Sequence, residues 1–206
     1  MTMKEIAGSG FSRMAVKRLA DSGDIERSVR GVYRIPAAGD EDVRALWASV
    51  TRARPDAVFC MVSAAAFHGL TQNMAGVLNV ALPTRRRVPA EGSMGVAACY
   101  VQWSSPEAFT LGVDRIEIDG VEVAVTGPER TVVDLFRFSS LVPQRREPRI
   151  YADPETVHDA LTRYLHGESA GSPLALMRMA KKFGVWDRMK PVIDMLNLSY
   201  ASGPGL

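Results

Sequence analysis

The chain has 206 residues, of which 47% are apolar and 23% are charged, and its formal net charge is +2. This is the composition of an ordinary globular protein, and it excludes a disordered or fibrous chain. The two cysteines, Cys60 and Cys99, form no CxxC pair, which excludes a disulfide-rich secreted class. We find no signal peptide and no run of about 18 apolar residues, so we expect a cytoplasmic protein with no membrane partner.

The positive charge is concentrated at the N-terminus. Residues 1–35 contain seven Lys and Arg residues against four Asp and Glu residues, a net charge of +3, and the rest of the chain sums to −1. An excess of positive charge in a short module is typical of proteins that bind nucleic acid.

The chain begins with the pattern of two short helices. Thr2 and Glu5 have the spacing of a capping box, and the glycine-containing turn at residues 8–10 ends this first helix. Ser12 caps a second helix, which we expect to run from Arg13 to about residue 20–22. The side chains predicted to face inward are Ile6, Ala7, Phe11, Ala15, Val16 and Leu19.

Residues 24–36 have the character of two short strands, with Gly31 at a tight turn or bulge between them. A two-stranded ribbon directly after a second helix is typical of the wing of a winged helix-turn-helix. Such domains normally have another helix before these two, and this sequence begins on the second one. We therefore expect a first helix upstream, or a small core completed by another segment of this chain or by a dimer mate.

The second helix is the expected recognition element. Its serine cap leaves N–H groups at the helix N-terminus, where a phosphate can bind, and its polar side chains project towards the major groove. The candidates for base edges are Arg13, Met14 and Lys17, and those for phosphates are Ser12 and Arg18. The wing candidates for backbone or minor-groove contacts are Arg27, Arg30 and Arg34. A solvated basic face would use the same side chains, and that alternative stays open.

The rest of the chain is predicted to be a mixed α/β domain that ends in helices, so the fold class is α+β. We expect residues 1–36 to be a partial winged helix-turn-helix and residues 40–200 to be the second domain. Its predicted strands are 57–61, 77–82, 96–103, 109–118 and 121–125, the last two forming a hairpin around Asp119-Gly120. Its predicted helices are 41–53, 63–68, 130–138, 154–166, 173–183 and about 187–198.

Side-chain caps are expected at the start of several of these helices. Asp40, Ser63, Asp153 and Ser172 have the right residue type and position. Residues 126–129, Thr-Gly-Pro-Glu, have the spacing of a second capping box.

No enzyme motif is visible. Glu129, Arg130 and Asp134 share a helix face and could support acid/base chemistry, but an intrahelical ion pair is the simpler interpretation. We expect His68 to be a packed, hydrogen-bonded side chain and the arginines at 85–87 and 145–149 to lie in solvated loops. A P-loop, an HExxH site and a nucleophile elbow are all absent. We therefore expect no catalytic residue, no metal and no cofactor.

Three groups of residues resemble the AbiEi family of type IV toxin–antitoxin antitoxins. The first is Leu19, Gly23-Asp24-Ile25 and Arg30 to Pro36; the second is Ser63 to Thr71 with Asn79 to Pro83; the third is Gly127 to Leu135. The resemblance implies a bacterial repressor of its own operon that binds inverted repeats in double-stranded DNA, an arrangement compatible with a homodimer. It also implies that the rear domain counters a nucleotidyltransferase-like toxin without forming a stable complex.

Two alternatives stay open beside this interpretation. One is a free-standing winged-helix regulator whose rear domain senses a ligand or a partner. The other is an enzyme with a nuclease-like or modifying activity in the rear domain.

Overall fold

The computed structural model describes residues 1–29, 31–35, 43–72, 77–83, 97–102, 106–139, 152–168 and 170–201. The chain divides into two compact units: Met1–Phe59 with Gly76–Phe109 and Asp114–Val125, and Cys60–Ala75 with Thr110–Val113 and Thr126–Leu206. Each unit combines segments that are distant in the sequence. The division into domains at residues 1–36 and 40–200 stays a prediction. Among the described residues, no helix is long and apolar enough to cross a membrane.

The first unit opens with the two predicted helices, α1 (Met3–Gly8) and α2 (Arg13–Asp21). The capping box is confirmed: the Thr2 hydroxyl accepts from the Glu5 N–H at 3.2 Å, and the Glu5 carboxylate accepts from the Thr2 N–H at 2.6 Å. This hydrogen bond to the Thr2 backbone lowers the pKa of Glu5. The Ser12 cap is also confirmed, since its hydroxyl accepts from the Ala15 N–H at 3.2 Å.

The predicted ribbon is present as β1 (Glu26–Val29) and β2 (Val32–Arg34), which pair antiparallel with a bulge between Arg27 and Val29. The chain start adds a third strand-like segment that we did not predict. Thr2 bridges to Val32, and the Met3 N–H donates to the Gly31 carbonyl at 2.9 Å. Residues 1–3 therefore hold the start of α1 against the ribbon.

The ribbon also packs against α3 (Val43–Ala53), which lies in the same compact unit. Arg52 near the end of α3 forms an ion pair with Glu5 of α1 at 3.5 Å. Val32 and Trp47 are both at most 2% exposed. The helix α3 thus contributes to the small core of the winged segment, residues 1–35. The Asp40 cap predicted for this helix lies outside the described residues.

A five-stranded mixed sheet forms the rest of this unit. Its strands are β3 (Val58–Phe59), β4 (Val77–Leu82), β5 (Ala97–Gln102), β6 (Val113–Ile118) and β7 (Val121–Thr126), in the order β5-β4-β3-β7-β6. β3 runs antiparallel to β4 and parallel to β7, and β4 runs parallel to β5. The ring of Trp47 stacks on Phe59 at 4.2 Å between centroids.

The hairpin between β6 and β7 turns at Asp119-Gly120 as predicted. Both residues have positive φ angles, 51° and 68°, as a two-residue type I′ turn requires. The first strand is shorter than predicted, because residues 106–109 form a 3₁₀ turn and β6 begins only at Val113.

The second unit is built from helices: α4 (Met61–Phe67), α5 (Pro128–Arg137), α6 (Pro154–His166), α7 (Pro173–Lys182) and α8 (Trp186–Ala201). The two predicted caps of the tail are confirmed. The Asp153 carboxylate accepts from the Thr156 N–H at 2.7 Å, and the Ser172 hydroxyl accepts from the Ala175 N–H at 3.3 Å.

Two predicted caps are wrong. α4 begins at Met61, whose φ of +52° ends the extended segment early, so Ser63 lies inside the first turn and Cys60 takes the cap position. In α5 the cap is Gly127, which has no side chain to accept a bond. The Thr126 hydroxyl instead lies 2.7 Å from that of Thr131.

The predicted ion pair between Arg130 and Asp134 is present, and both side chains are fully buried. The Arg130 Nε donates to Asp134 Oδ2 at 2.6 Å, and its Nη1 donates to the Leu111 carbonyl at 2.7 Å. Arg137 binds the other carboxylate oxygen at 2.8 Å, and the ring of Phe183 lies 4.1 Å from the Arg130 Cζ. Burial raises the pKa of Asp134, and the two guanidinium groups act in the opposite direction.

Asp134→Asn should lower the free energy of unfolding by about 3–5 kcal/mol, because it leaves the buried Arg130 charge without its counter-ion. Urea denaturation followed by circular dichroism measures the change. Asp194→Asn is the matched control, because its ion pair with Lys190 is more than half exposed and should contribute about 1 kcal/mol or less. Equal destabilisation in the two variants would show that Asp134 does not stabilise Arg130.

Gly112→Ala should destabilise the protein more than Gly120→Ala. Both glycines have left-handed φ angles, +64° and +68°, which cost an alanine about 1–2 kcal/mol. Only at Gly112 would a Cβ also collide, at 2.9 Å from the Arg130 Cβ and 2.7 Å from the Met179 Cε, whereas Gly120 faces open space. The collision adds about 1–3 kcal/mol. Thermal unfolding compares the two variants, and a Gly120→Ala that unfolds first would contradict this packing.

Candidate nucleic-acid interface

The helix α2 presents one packed side and one exposed side. Val16 is 2% exposed, and Ala15, Leu19 and Ala20 are half-buried. The exposed side carries the predicted DNA-contacting side chains Ser12, Arg13, Met14, Lys17 and Arg18. Successive residues of a helix are turned by about 100°, so the last four of these side chains lie within one sector of about 140°, whereas Ser12 is the N-cap residue, four positions before Val16. The structure therefore brings four of the candidates onto one accessible face of the helix, and the exposed Ser12 lies at its N-terminal end.

The ribbon follows directly on this helix and is attached to its end. The Ile25 N–H donates to the Leu19 carbonyl at 3.1 Å, and Gly23 makes the turn with a φ of +82°. Arg27 on β1 is exposed. Arg30 lies outside the described residues, and of Arg34 only the backbone, in β2, is described.

The described cations of this surface have no described carboxylate as counter-ion. Among the residues that the structure describes, Arg13, Lys17, Arg18 and Arg27 form no ion pair with a carboxylate. Glu5 is instead held by Thr2 and Arg52. The positive charge on α2 and β1 is thus available to an external anion such as the phosphate backbone.

Two inward predictions for this segment are wrong. Phe11 is 51% exposed and Ala7 is also exposed, while Ile6 is half-buried. Both exposed side chains lie at or near the turn between α1 and α2. Helical spacing predicts which side chains share a face, but that face is buried only if another element packs on it. No described segment covers Ala7 or Phe11.

Two long-range contacts that support this surface were not predicted from the sequence. Residues 1–3 pair with the ribbon, and Arg52 reaches Glu5 from α3, about 47 positions away along the chain. A strand of three residues at a chain start has no periodicity to detect, and a long-range ion pair leaves no local pattern.

Two of the other candidates, His68 and Glu129, make hydrogen bonds within the fold. His68 Nε2 lies 2.7 Å from the Thr126 carbonyl, which confirms the packed, hydrogen-bonded side chain. Glu129 accepts a hydrogen bond of 2.9 Å from the Tyr164 hydroxyl, whose pKa is raised by burial and by this carboxylate, so Tyr164 stays protonated and donates. The described part of the chain contains no group of three or more His, Cys, Asp or Glu side chains suited to a metal ion. The arginines at 85–87 and 145–149 lie outside it.

A groove of about 350 Å³ in the first unit bears on the ligand-sensing alternative. Its lining is mainly apolar and includes Pro55, Pro106 and Phe109. The two charged side chains that line it are engaged elsewhere: Asp56 with Arg54, and Arg115 with Glu122. A small-molecule site usually has a few polar groups directed at the ligand, and the two charged side chains among the described lining residues are paired with other residues.

Comparison with known proteins identifies the family of this chain. Residues 2–36 match the family model described as a transcriptional regulator, AbiEi antitoxin, and residues 57–144 match that of the AbiEi antitoxin C-terminal domain. The fold is similar to the crystal structure of the RV2827C protein from Mycobacterium tuberculosis, with a TM-score of 0.59 and 16% identity over 95% of this chain and 71% of that chain. No curated protein matches significantly. Because the two family models together match more than half of its residues, the chain belongs to the AbiEi family of antitoxins and transcriptional regulators.

Proposed function

We propose that this chain is the antitoxin of a type IV toxin–antitoxin pair and that it represses its own operon by binding the promoter. In this proposal α2 enters the major groove of an inverted repeat, and the ribbon β1–β2 contacts the adjacent backbone or minor groove. A second copy occupies the other half-site as a homodimer partner on the DNA. The toxin is a nucleotidyltransferase-like protein encoded beside it, with which it forms no stable complex.

The observation that carries the DNA half is the unneutralised basic face of α2. Arg13, Lys17 and Arg18 are exposed on this face with no described carboxylate partner. Each cation that replaces a condensed counter-ion on a phosphate contributes affinity that falls with salt. The helix α2 begins at a serine cap, and after its other end the chain forms a ribbon that carries the exposed Arg27. This order of a helix that can enter the major groove and a ribbon beside it supports binding to a duplex.

The observation that carries the antitoxin half is the match of residues 57–144 to the antitoxin C-terminal domain. This region contains the mixed sheet and the α5 helix with its buried Arg130–Asp134 pair. The described charged side chains of α5 are held in ion pairs and hydrogen bonds within the protein. We therefore propose that this helix neutralises the toxin without catalysing a reaction.

The double variant Arg13→Ala, Lys17→Ala should weaken binding to the fragment upstream of its own reading frame. Removing a side chain that hydrogen-bonds a base edge costs about 1–3 kcal/mol of binding free energy, and the sequence preference should relax at the affected positions. A gel-shift titration at two salt concentrations, with a random-sequence duplex as competitor, measures both effects.

The matched control is Arg188→Ala with Lys181→Ala, which removes two exposed cations from α8 and α7 and changes the net charge equally. It should leave the affinity and its sequence preference unchanged. If the two double variants weaken binding equally, the effect is one of net charge and α2 is not the recognition helix.

Co-expression should rescue growth from the toxin encoded by the neighbouring gene. The Arg13→Ala, Lys17→Ala variant, expressed from an unrelated promoter, should rescue as well as the natural sequence. In this proposal the toxin is countered by the antitoxin domain at residues 57–144. Growth curves and a co-purification of the two proteins are the measurements. Loss of rescue in this variant, or a complex that survives gel filtration, would contradict the type IV arrangement.

A further inference from the structure

The side chain of Met14 is 67% exposed on the outward face of α2. Because residues along a helix are turned by about 100°, Met14 lies between two groups of cations. Arg13 and Lys17 flank it on one side and Arg18 flanks it on the other, and all three are exposed. Met14 is therefore an apolar side chain in the middle of a basic surface.

Packing does not explain a methionine at this position. The side of α2 that faces the core is formed by Val16, with Ala15, Leu19 and Ala20 half-buried beside it. Exposed apolar surface becomes favourable only when a partner removes it from water. A partner bound to this face would therefore gain by covering the Met14 side chain, which lies at the centre of the face that carries the charge.

We propose that Met14 reads the C5-methyl group of a thymine in the major groove. This inference rests on the proposed function and names the feature of the operator that α2 recognises. Thymine is the base that places a methyl group in the major groove, and apolar side chains contact it there. Methionine suits the task because its unbranched, polarisable side chain adapts to an irregular surface.

The flanking cations favour a duplex over an apolar protein surface as the partner. Arg13 and Lys17 can bind the guanine O6 and N7 acceptors, and Arg18 can bind a phosphate on the other side of Met14. An RNA duplex does not fit, because its deep and narrow major groove excludes side chains and uracil lacks the methyl group. The ligand class is double-stranded DNA with a T·A pair between positions contacted by cations.

The test begins with selection of binding sites for the full chain from a random-sequence duplex library. Each thymine of the selected site is then replaced singly by deoxyuridine, which removes the methyl group and keeps the base pair. At a thymine facing Met14, the affinity of the natural sequence should fall about fourfold, the change expected when one buried methyl-sized group is removed. Fluorescence anisotropy measures the affinity of each duplex.

The Met14→Ala variant should bind the thymine and deoxyuridine duplexes equally, and Met14→Leu should keep most of the discrimination. Met195→Ala is the matched control, since Met195 is 60% exposed on α8, and it should discriminate as the natural sequence does. Circular dichroism and the unfolding midpoint verify that each variant is folded.

Two outcomes overturn the inference and leave the proposed function intact. The selected site has no thymine that is sensitive to removal of its methyl group, or the sensitivity persists unchanged in Met14→Ala. Failure of the selection to yield any sequence-specific duplex overturns the DNA half of the proposed function together with this inference.

Discussion

The second unit depends on the burial of one guanidinium group. Arg130 is fully buried, and a charge removed from water is tolerable only when its hydrogen bonds and its counter-ion are supplied by the protein. Asp134 supplies the counter-ion one turn later, the Leu111 carbonyl accepts from Nη1, and Phe183 covers the group from the end of α7. Gly112 is needed because a Cβ there would occupy the space of the Arg130 side chain. Through Arg130, the segment at Leu111 and the end of α7 at Phe183 are held against α5.

The charged residues of this helix and those of residues 1–35 have different surroundings. The block from Gly127 to Leu135 is recognisable in the sequence, and its charged residues support packing: Arg130 with Asp134, and Glu129 with Tyr164. The charges of the winged segment behave in the opposite way, since Arg13, Lys17 and Arg18 are exposed with no described counter-ion. A charge that is paired within the fold is not available to a partner, whereas a charge left in water is.

The winged segment is small, and long-range contacts keep it in place. Two helices of six and nine residues cannot bury a core by themselves. Pairing of residues 1–3 with β2, packing of α3 on the ribbon and the ion pair from Arg52 to Glu5 supply that support. The orientation of α2 relative to the ribbon then follows from a short turn at Gly23 and one backbone bond to Leu19. The proposed readout by Met14 requires this fixed orientation.

The sequence by itself determined the local elements: the capping box at Thr2, the serine cap of α2, the ribbon after Gly23, the Asp-Gly hairpin and the capped helices of the tail. Each depends on residues that are close in the sequence, and spacing and residue type specify their contacts. Tertiary structure alone decided where α4 begins, that Thr126 pairs with Thr131 instead of capping α5, and that Phe11 stays exposed. It also decided that Arg130 is buried and Arg13 is not, although both are arginines in the first turn of a helix with capping residues before them. The difference comes from neighbours contributed by distant segments, and these have no signature in the local sequence.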